Sequence, residues 1–290
     1  MHHRPVKWMD NPNAERVKRV AQLAGRSAVR NRRKQFLAEG PQSAAEAIRA
    51  HLGLLELSEA AAQLWPPDQT VAAVYYTEQL ADSNPELAEL IGQLSDSVFV
   101  AQTTDPVLQA MSDAVVHQNI IAVVHQPTAQ PAPRNDAQLV GGLVRIQDPG
   151  NAGTIIRTAD AAGVDYVIAT SQTVDIFNPK TVRSTAGSIF HLPVYTNVDL
   201  TTFVTDFPGQ VFAADGYSDV VLDQTDVTVL SKPTAWLFGN EARGLNAEEV
   251  ALADHRVAVP LYGLAESLNV STAATICLYS SAMAQRRRAS

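Results

Sequence analysis

Three short stretches carry residues able to do chemistry. The first is Val257–Tyr279, VAVPLYGLAESLNVSTAATICLY. A short apolar strand, Val257–Val259, should stop at Pro260, which lacks a ladder donor. A loop with Gly263 and Ser267-Leu268-Asn269 follows. Val270, Ala273, Ala274, Cys277 and Leu278 then recur at helical spacing. A loop of backbone amides and short polar side chains between a strand and a helix start can hold a small polar ligand. The same residues can equally form a helix N-cap at Ser267 or Asn269 that binds nothing. The second stretch runs from Asn151 to Arg157, NAGTIIR, inside LVRIQDPGNAGTIIRTADAAGVDYVIAT. Arg157 could pair with Asp160 on a helix surface or meet an anion. The third is Leu237–Leu245, LFGNEARGL.

Together the stretches spell N-x-G-x-x-x-R, G-N-E-x-x-G and P-x-x-G-x-x-x-S-L-N-V-S, in that order. In this form they resemble the three signature motifs of the SpoU (TrmH) RNA 2′-O-ribose methyltransferases, over roughly residues 138–283. The resemblance implies a C-terminal parallel-sheet domain of the SPOUT class with a deep trefoil knot. Ordinary topology makes knots nearly absent, so that expectation rests on the family alone. It also implies S-adenosylmethionine as methyl donor, a homodimer, and RNA as substrate, with ribosomal RNA preferred over transfer RNA. A non-catalytic RNA-binding or assembly protein with the same fold is the rival reading.

A ribose 2′-hydroxyl is protonated at neutral pH and is a poor nucleophile. Its methylation needs in-line geometry, proton removal and a donor pocket. By motif position, Gly239, Asn240, Val259, Leu261, Leu268 and Asn269 should bind the donor. Gly239 would let a ligand approach its backbone, and Leu261 and Leu268 would sandwich adenine. Arg157, Asn151, Glu241, Ser267 and Asn269 form the expected catalytic set. A guanidinium rarely deprotonates, so Arg157 is better suited to gripping a phosphate and orienting the hydroxyl. Glu241 is expected to tie its loop to a neighbouring amide or arginine rather than to carry a proton.

The 290 residues include one cysteine, which excludes a disulfide within the chain and a multi-cysteine metal cluster. The histidines show no ligand spacing, so no metal is expected. MHHRPVKWMD lacks a signal-peptide core, and no uninterrupted apolar run is long enough to span a membrane, so a soluble cytoplasmic protein with no membrane contact is expected. The net charge of −8 is unevenly spread. Residues 1–50 hold 11 Lys/Arg against 4 Asp/Glu, whereas residues 51–133 hold 10 acidic side chains and no basic one. A basic end on an acidic body can still bind RNA, because phosphates respond to the local field. Arg26, Arg30, Arg32, Arg33 and Lys34 form a dense cationic cluster, the expected phosphate contact. The alternative is a solvated face. Lys180 and Arg183 are further candidates for RNA contact. Arg286–Arg288 suit the end of the last helix.

Elements alternate in both halves. Residues 13–35 read as a basic helix, or two broken near Gly25. Phe36–Ala38 is a strand, Gly40-Pro41 a turn, and Ser43–His51 a helix opened by Ser43. The F-L-x-E-G-P segment is similar to the opening of the ribosomal-protein-like α/β domain found in many SpoU proteins. Strands are expected at Val71–Tyr76, Val98–Ala101 and Asn119–His125, with helices at Pro85–Gln93 and Asp105–Met111. His117 and His125 read as structural. The proline-rich stretch 126–138 should be a linker. Domains are thus expected at 1–125, binding RNA substrate, and 139–290, transferring the methyl group. Six strands follow the linker in a doubly wound α/β pattern. The absence of G-x-G-x-x-G disfavours a dinucleotide-binding oxidoreductase.

Overall fold

The computed structural model describes residues 7–128, 133 and 135–289. The chain divides into two compact units, and the division is not quite collinear with the sequence. The first unit comprises Met1–Pro131 together with Phe177–His191; the second comprises Ala132–Ile176 and Leu192–Ser290. The expected linker lies partly outside the described residues. The segment 177–191, read from sequence as part of the second domain, clusters with the first unit instead.

The first unit holds a five-stranded mixed sheet: β1 (Lys7–Met9), β2 (Gln35–Glu39), β3 (Val71–Thr77), β4 (Phe99–Thr103) and β5 (Ile120–His125), in the order β1-β4-β3-β5-β2. β1, β4 and β3 are parallel, and β5 runs antiparallel to β3 and β2. The edge strand β1 was not visible in sequence, since three residues show no alternation. The basic segment forms two helices, Glu15–Gly25 and Ser27–Arg33. Val17, Val20 and Leu23 pack on Leu37, Tyr75 and Val123 of the sheet. The next helix begins at Pro41, not Ser43, because proline at the first position has the right φ and no amide to satisfy. Ser43 lies buried inside that helix and donates to the Val182 carbonyl at 3.4 Å. His117 accepts from the Asn119 amide at 3.3 Å, a structural role.

The segment 177–191 enters this unit through aromatic packing: Phe36 lies 4.8 Å from Phe177, and Trp65 lies 4.9 Å from Phe190, centroid to centroid. Its helix, Pro179–Thr185, is capped by Asn178, whose side chain accepts from the Lys180 amide.

The second unit is a six-stranded, wholly parallel sheet: β6 (Leu139–Leu143), β7 (Tyr166–Thr170), β8 (Val194–Val198), β9 (Gln210–Ala214), β10 (Thr234–Phe238) and β11 (His255–Val257). Their order is β11-β9-β10-β6-β7-β8. β6, β7 and β10 are buried along their whole length, which explains their unbroken apolar runs. β11 ends at Val257, two residues earlier than expected; Ala258 only bridges Val221. The chain moves outward from β6 through β7 to β8, then returns so that β10 pairs with β6. That reversal between β6 and β10 is a topological switch point, where parallel sheets bind ligands at their C-terminal edge.

Two helices serve that edge. Pro149–Ala162 follows β6, with Asp148 accepting from the Asn151 amide at 2.9 Å, and ends at left-handed Gly163. Val270–Ala289 closes the unit. Ser281, fully buried, accepts from the Trp236 indole at 2.9 Å. Thr275 and Thr158 share a 3.2 Å hydrogen bond that joins the two helices. Cys277 is buried, and burial pushes its thiol pKa up, so the thiol is inert.

Arg30 illustrates how local chemistry redirects a charge. It is 2% exposed and donates to the carbonyls of Leu23 and Ala24, at 2.8 and 3.2 Å, at the end of the preceding helix. Replacing it with alanine should strand those acceptors and destabilise the first unit by about 2 kcal/mol. Arg32→Ala, on the exposed face, should stay within about 0.5 kcal/mol. Urea unfolding of both variants checks the contrast.

Candidate active site

The loops after β6, β10 and β11 meet at the switch point, and one carboxylate organises them. Glu241, in the loop after β10, accepts from the Asp148 amide at 2.9 Å, the Gln147 amide at 3.1 Å and the Asn151 side-chain amide at 3.2 Å. Asn151 in turn accepts from the Asn269 side-chain amide at 3.0 Å. Asn269 accepts from the Ser271 amide at 2.8 Å and its hydroxyl at 2.6 Å, which caps the final helix. The helix-cap reading and the ligand-loop reading are therefore not exclusive. Asn269 makes the cap, and its remaining donor joins a chain of hydrogen bonds through all three motifs. Ser267 does not cap and stands exposed.

Partial burial raises the Glu241 pKa, and the Asp148 and Gln147 amides with Asn151 lower it further, leaving it below the usual carboxylate value. Glu241 thus stands ionised at neutral pH and ties the loops together.

The chain's own backbone also requires glycine at 239. A Cβ there would lie 2.3 Å from the Gly244 carbonyl carbon and the Leu245 nitrogen. The chain's own backbone, folded back in the Asn240–Gly244 bridge, requires the bare position. Asn240 accepts from the amides of Ala242 and Arg243 at 3.1 and 3.2 Å and donates to the Arg145 carbonyl at 3.2 Å. Gly244 makes the turn at φ +63.

Sequence reasoning missed Arg145. It sits at φ 57 and grips Glu249 with two nitrogens, at 2.7 and 2.6 Å, and the Gly244 carbonyl at 3.2 Å. Partial burial raises the Glu249 pKa, but the Arg145 bonds lower it further, so it stays ionised. This bidentate pair clamps the loop after β6 to the loop after β10. The box Asn246–Glu249, N-x-x-E, was the visible sign of a helix start there.

Arg157 lies six positions beyond Asn151, about 9 Å along the helix. It is exposed and makes no hydrogen bond or ion pair with any described residue, so the surface pair with Asp160 does not form. Val259 and Leu268 are half-buried, whereas Leu261 is 41% and Leu264 fully exposed.

The expected cationic cluster divides. Arg26, Arg32 and Lys34 are exposed. Arg30 is buried, which corrects its assignment to RNA contact: its donors serve helix-end carbonyls. Arg33 donates to the Arg19 carbonyl at 2.7 Å and to Gln22 at 3.1 Å. Arg183 is held by Glu39 and Asp113, each at 2.6 Å. Its expected role in RNA contact is thereby replaced by an internal ion pair. Burial raises the pKa of Glu39 despite that arginine. Lys180 is exposed.

Comparison with known proteins follows this geometry. The profile of the SpoU rRNA Methylase family matches residues 138–279. The 23S rRNA (guanosine(2553)-2′-O)-methyltransferase RlmP of Bacillus subtilis is 38% identical over 176 residues, covering 61% of this chain and 69% of that protein. The 23S rRNA (uridine(2479)-2′-O)-methyltransferase of Streptomyces viridochromogenes is 31% identical over 242 residues, covering 79% of this chain and 80% of that one. The chain belongs to the SpoU family. The solved structure of the SpoU methyltransferase AviRb from Streptomyces viridochromogenes with AdoMet superposes with a TM-score of 0.75 at 28% identity, over 96% of this chain and 99% of that one. An AdoMet-bound rRNA methyltransferase from Sinorhizobium meliloti gives 0.74 at 26% identity, over 98% of both chains.

AviRb and the Sinorhizobium meliloti methyltransferase hold AdoMet, and the residue types of the loop after β11 suit that molecule. Leu261, Leu268 and Val259 offer apolar surface for an adenine, and Ser267 and Asn269 offer polar groups for the amino acid end. All of them belong to the one loop at the switch-point edge. Among the described residues no cluster of potential metal ligands occurs.

Glu241→Gln should raise the donor's Kd about tenfold, since a neutral amide replaces an ionised acceptor of two backbone amides. A carboxylate whose pKa is lowered on folding stabilises above its ordinary pKa of 4.5 and loses that effect as pH falls through the folded value. The thermal unfolding midpoint should hold from pH 7 down to that ordinary value and fall below it, and Glu241→Gln should lose this carboxylate's share of that fall.

Proposed function

We propose that this SpoU protein transfers a methyl group from S-adenosylmethionine to a ribose 2′-hydroxyl of ribosomal RNA, acting in the cytoplasm as a homodimer. The first unit recruits structured RNA and the second carries out transfer. The observation that carries this reading is the hydrogen-bonded chain Glu241–Asn151–Asn269, which brings the three polar motifs into one site.

The donor, when bound, supplies an electrophilic methyl group on a sulfonium. This chain's residues supply the rest. The loops after β10 and β11, Gly239–Asn240 and Val259–Asn269, hold the donor. Asn151 is already fixed between Glu241 and Asn269, so its position is set before substrate arrives. Arg157 meets the RNA. It grips the phosphate beside the target ribose with its planar fork of donors and orients the 2′-hydroxyl. Glu241 already accepts from the Gln147 and Asp148 amides and the Asn151 and Asn240 side chains, so its role is to tie the loops rather than to take the proton. The relatives named as 23S rRNA 2′-O-methyltransferases support ribosomal RNA as substrate. No helix among the described residues is long and apolar enough to cross a membrane.

Labelled S-adenosylmethionine with total RNA should put label on a ribose of large-subunit rRNA. Label on transfer RNA would move the substrate, and none on any RNA or ribosomal particle would defeat the reading. Arg157→Ala should lower turnover at least a hundredfold with donor affinity unchanged within about twofold, as expected for an interaction made to the reacting RNA alone.

A further inference from the structure

A second cationic site lies in the first unit, sharing only Arg33 with the charge run that the sequence displays. Between the helix Glu15–Gly25 and the sheet is a cavity of about 370 Å³, lined by Arg16, Arg19, Arg33, Gln35 and Tyr75 over an apolar floor. Three guanidinium groups share it, and no carboxylate lines it. Two of them are held in place. The Arg16 guanidinium lies 3.8 Å from the centroid of the Phe99 ring, and the Lys7 ammonium lies 4.5 Å from the same centroid. Stacking fixes the plane of a guanidinium, and one Arg16 donor meets the Tyr75 hydroxyl at the cleft wall, leaving the rest of its fork for a ligand. Arg33 is anchored by the Arg19 carbonyl and the Gln22 side chain.

Like charges gathered in one concavity repel and focus a positive field on it. A polar cavity with fixed N–H forks and no acid suits a phosphate, whose oxygens take two donors from one guanidinium. We propose that this cleft binds a backbone phosphodiester of the RNA substrate, with Arg16 and Arg19 as the principal contacts and Arg33 and Lys7 strengthening the field. The proposal rests on RNA being the substrate. It assigns the anchoring to Arg16 and Arg19, neither of which belongs to the 26–34 run, and it leaves Arg30 as an internal strut.

The test compares Arg16→Gln/Arg19→Gln with Lys18→Gln in the full chain. Lys18 is exposed on the same helix, paired with Glu15 at 3.5 Å, and does not line the cavity. Affinity for a labelled rRNA fragment is measured from 50 to 300 mM salt. The double variant should bind at least tenfold more weakly at low salt and reduce the log–log salt slope by about 1–2, one unit per lost phosphate contact. Lys18→Gln should change affinity less than twofold. Inorganic phosphate at matched ionic strength should displace RNA from the native chain more strongly than chloride does, and should lose that advantage in the double variant. S-adenosylmethionine affinity and the thermal unfolding midpoint, read in parallel, show that both variants are folded. An unchanged slope in the double variant overturns the proposal, as does an equal loss in Lys18→Gln, which would mean a diffuse field. Unchanged RNA affinity with lost binding of polyglutamate would overturn it in favour of an acidic protein partner. Normal methyl transfer with unchanged slope would defeat the cleft alone, whereas absent transfer with a reduced slope would defeat the reaction and leave the cleft standing.

Discussion

The Glu241 carboxylate is the constraint on which the catalytic unit depends. Parallel strands can place three loops on one edge, but nothing in a sheet dictates how the loops touch. Here a single ionised group takes the amides of Gln147 and Asp148 and the side chain of Asn151. These are the amides that enter the helix Pro149–Ala162, where the helix dipole favours a negative charge. The same anion therefore holds the two residues that lead into a helix, fixes the loop after β10 and orients Asn151 toward Asn269. Arg145 and Glu249 repeat the device on the other side of the loop. The site is built from charge-assisted hydrogen bonds that tie its loops together.

Much of this was legible in the sequence, for reasons that differ by residue. Six strands could be placed because β6, β7 and β10 are buried on both faces and show it as unbroken apolar runs. The polar motifs stood out because three short patterns occur in the order and spacing of a known family. Arg145 could not be found, because its role depends on a left-handed backbone and on Glu249, 104 residues away. Gly239 was read as a position of close approach, and the chain's own backbone approaches it. Residues 177–191 could not be assigned to their unit from pattern, since Phe36, Trp65, Phe177 and Phe190 meet only in three dimensions.

Charge runs were the least legible feature. Arg26, Arg30, Arg32, Arg33 and Lys34 look alike in sequence. On the helix Ser27–Arg33 they separate by direction: Arg30 turns inward to the end of the preceding helix, and Arg33 leans on it. Arg16 and Arg19 are more widely spaced and drew no attention, yet Arg33 reaches them across the fold. A local count of cations gives the field near a segment, while the direction of each side chain depends on the neighbouring helix end.

The bond from Asn269 to Asn151 spans 118 residues, and it is the last of the ring to be made during synthesis. When Asn151 and Glu241 have emerged, the loop after β11 and its helix cap do not yet exist. A chain that ends before residue 269 therefore lacks the bond that joins the first motif to the third.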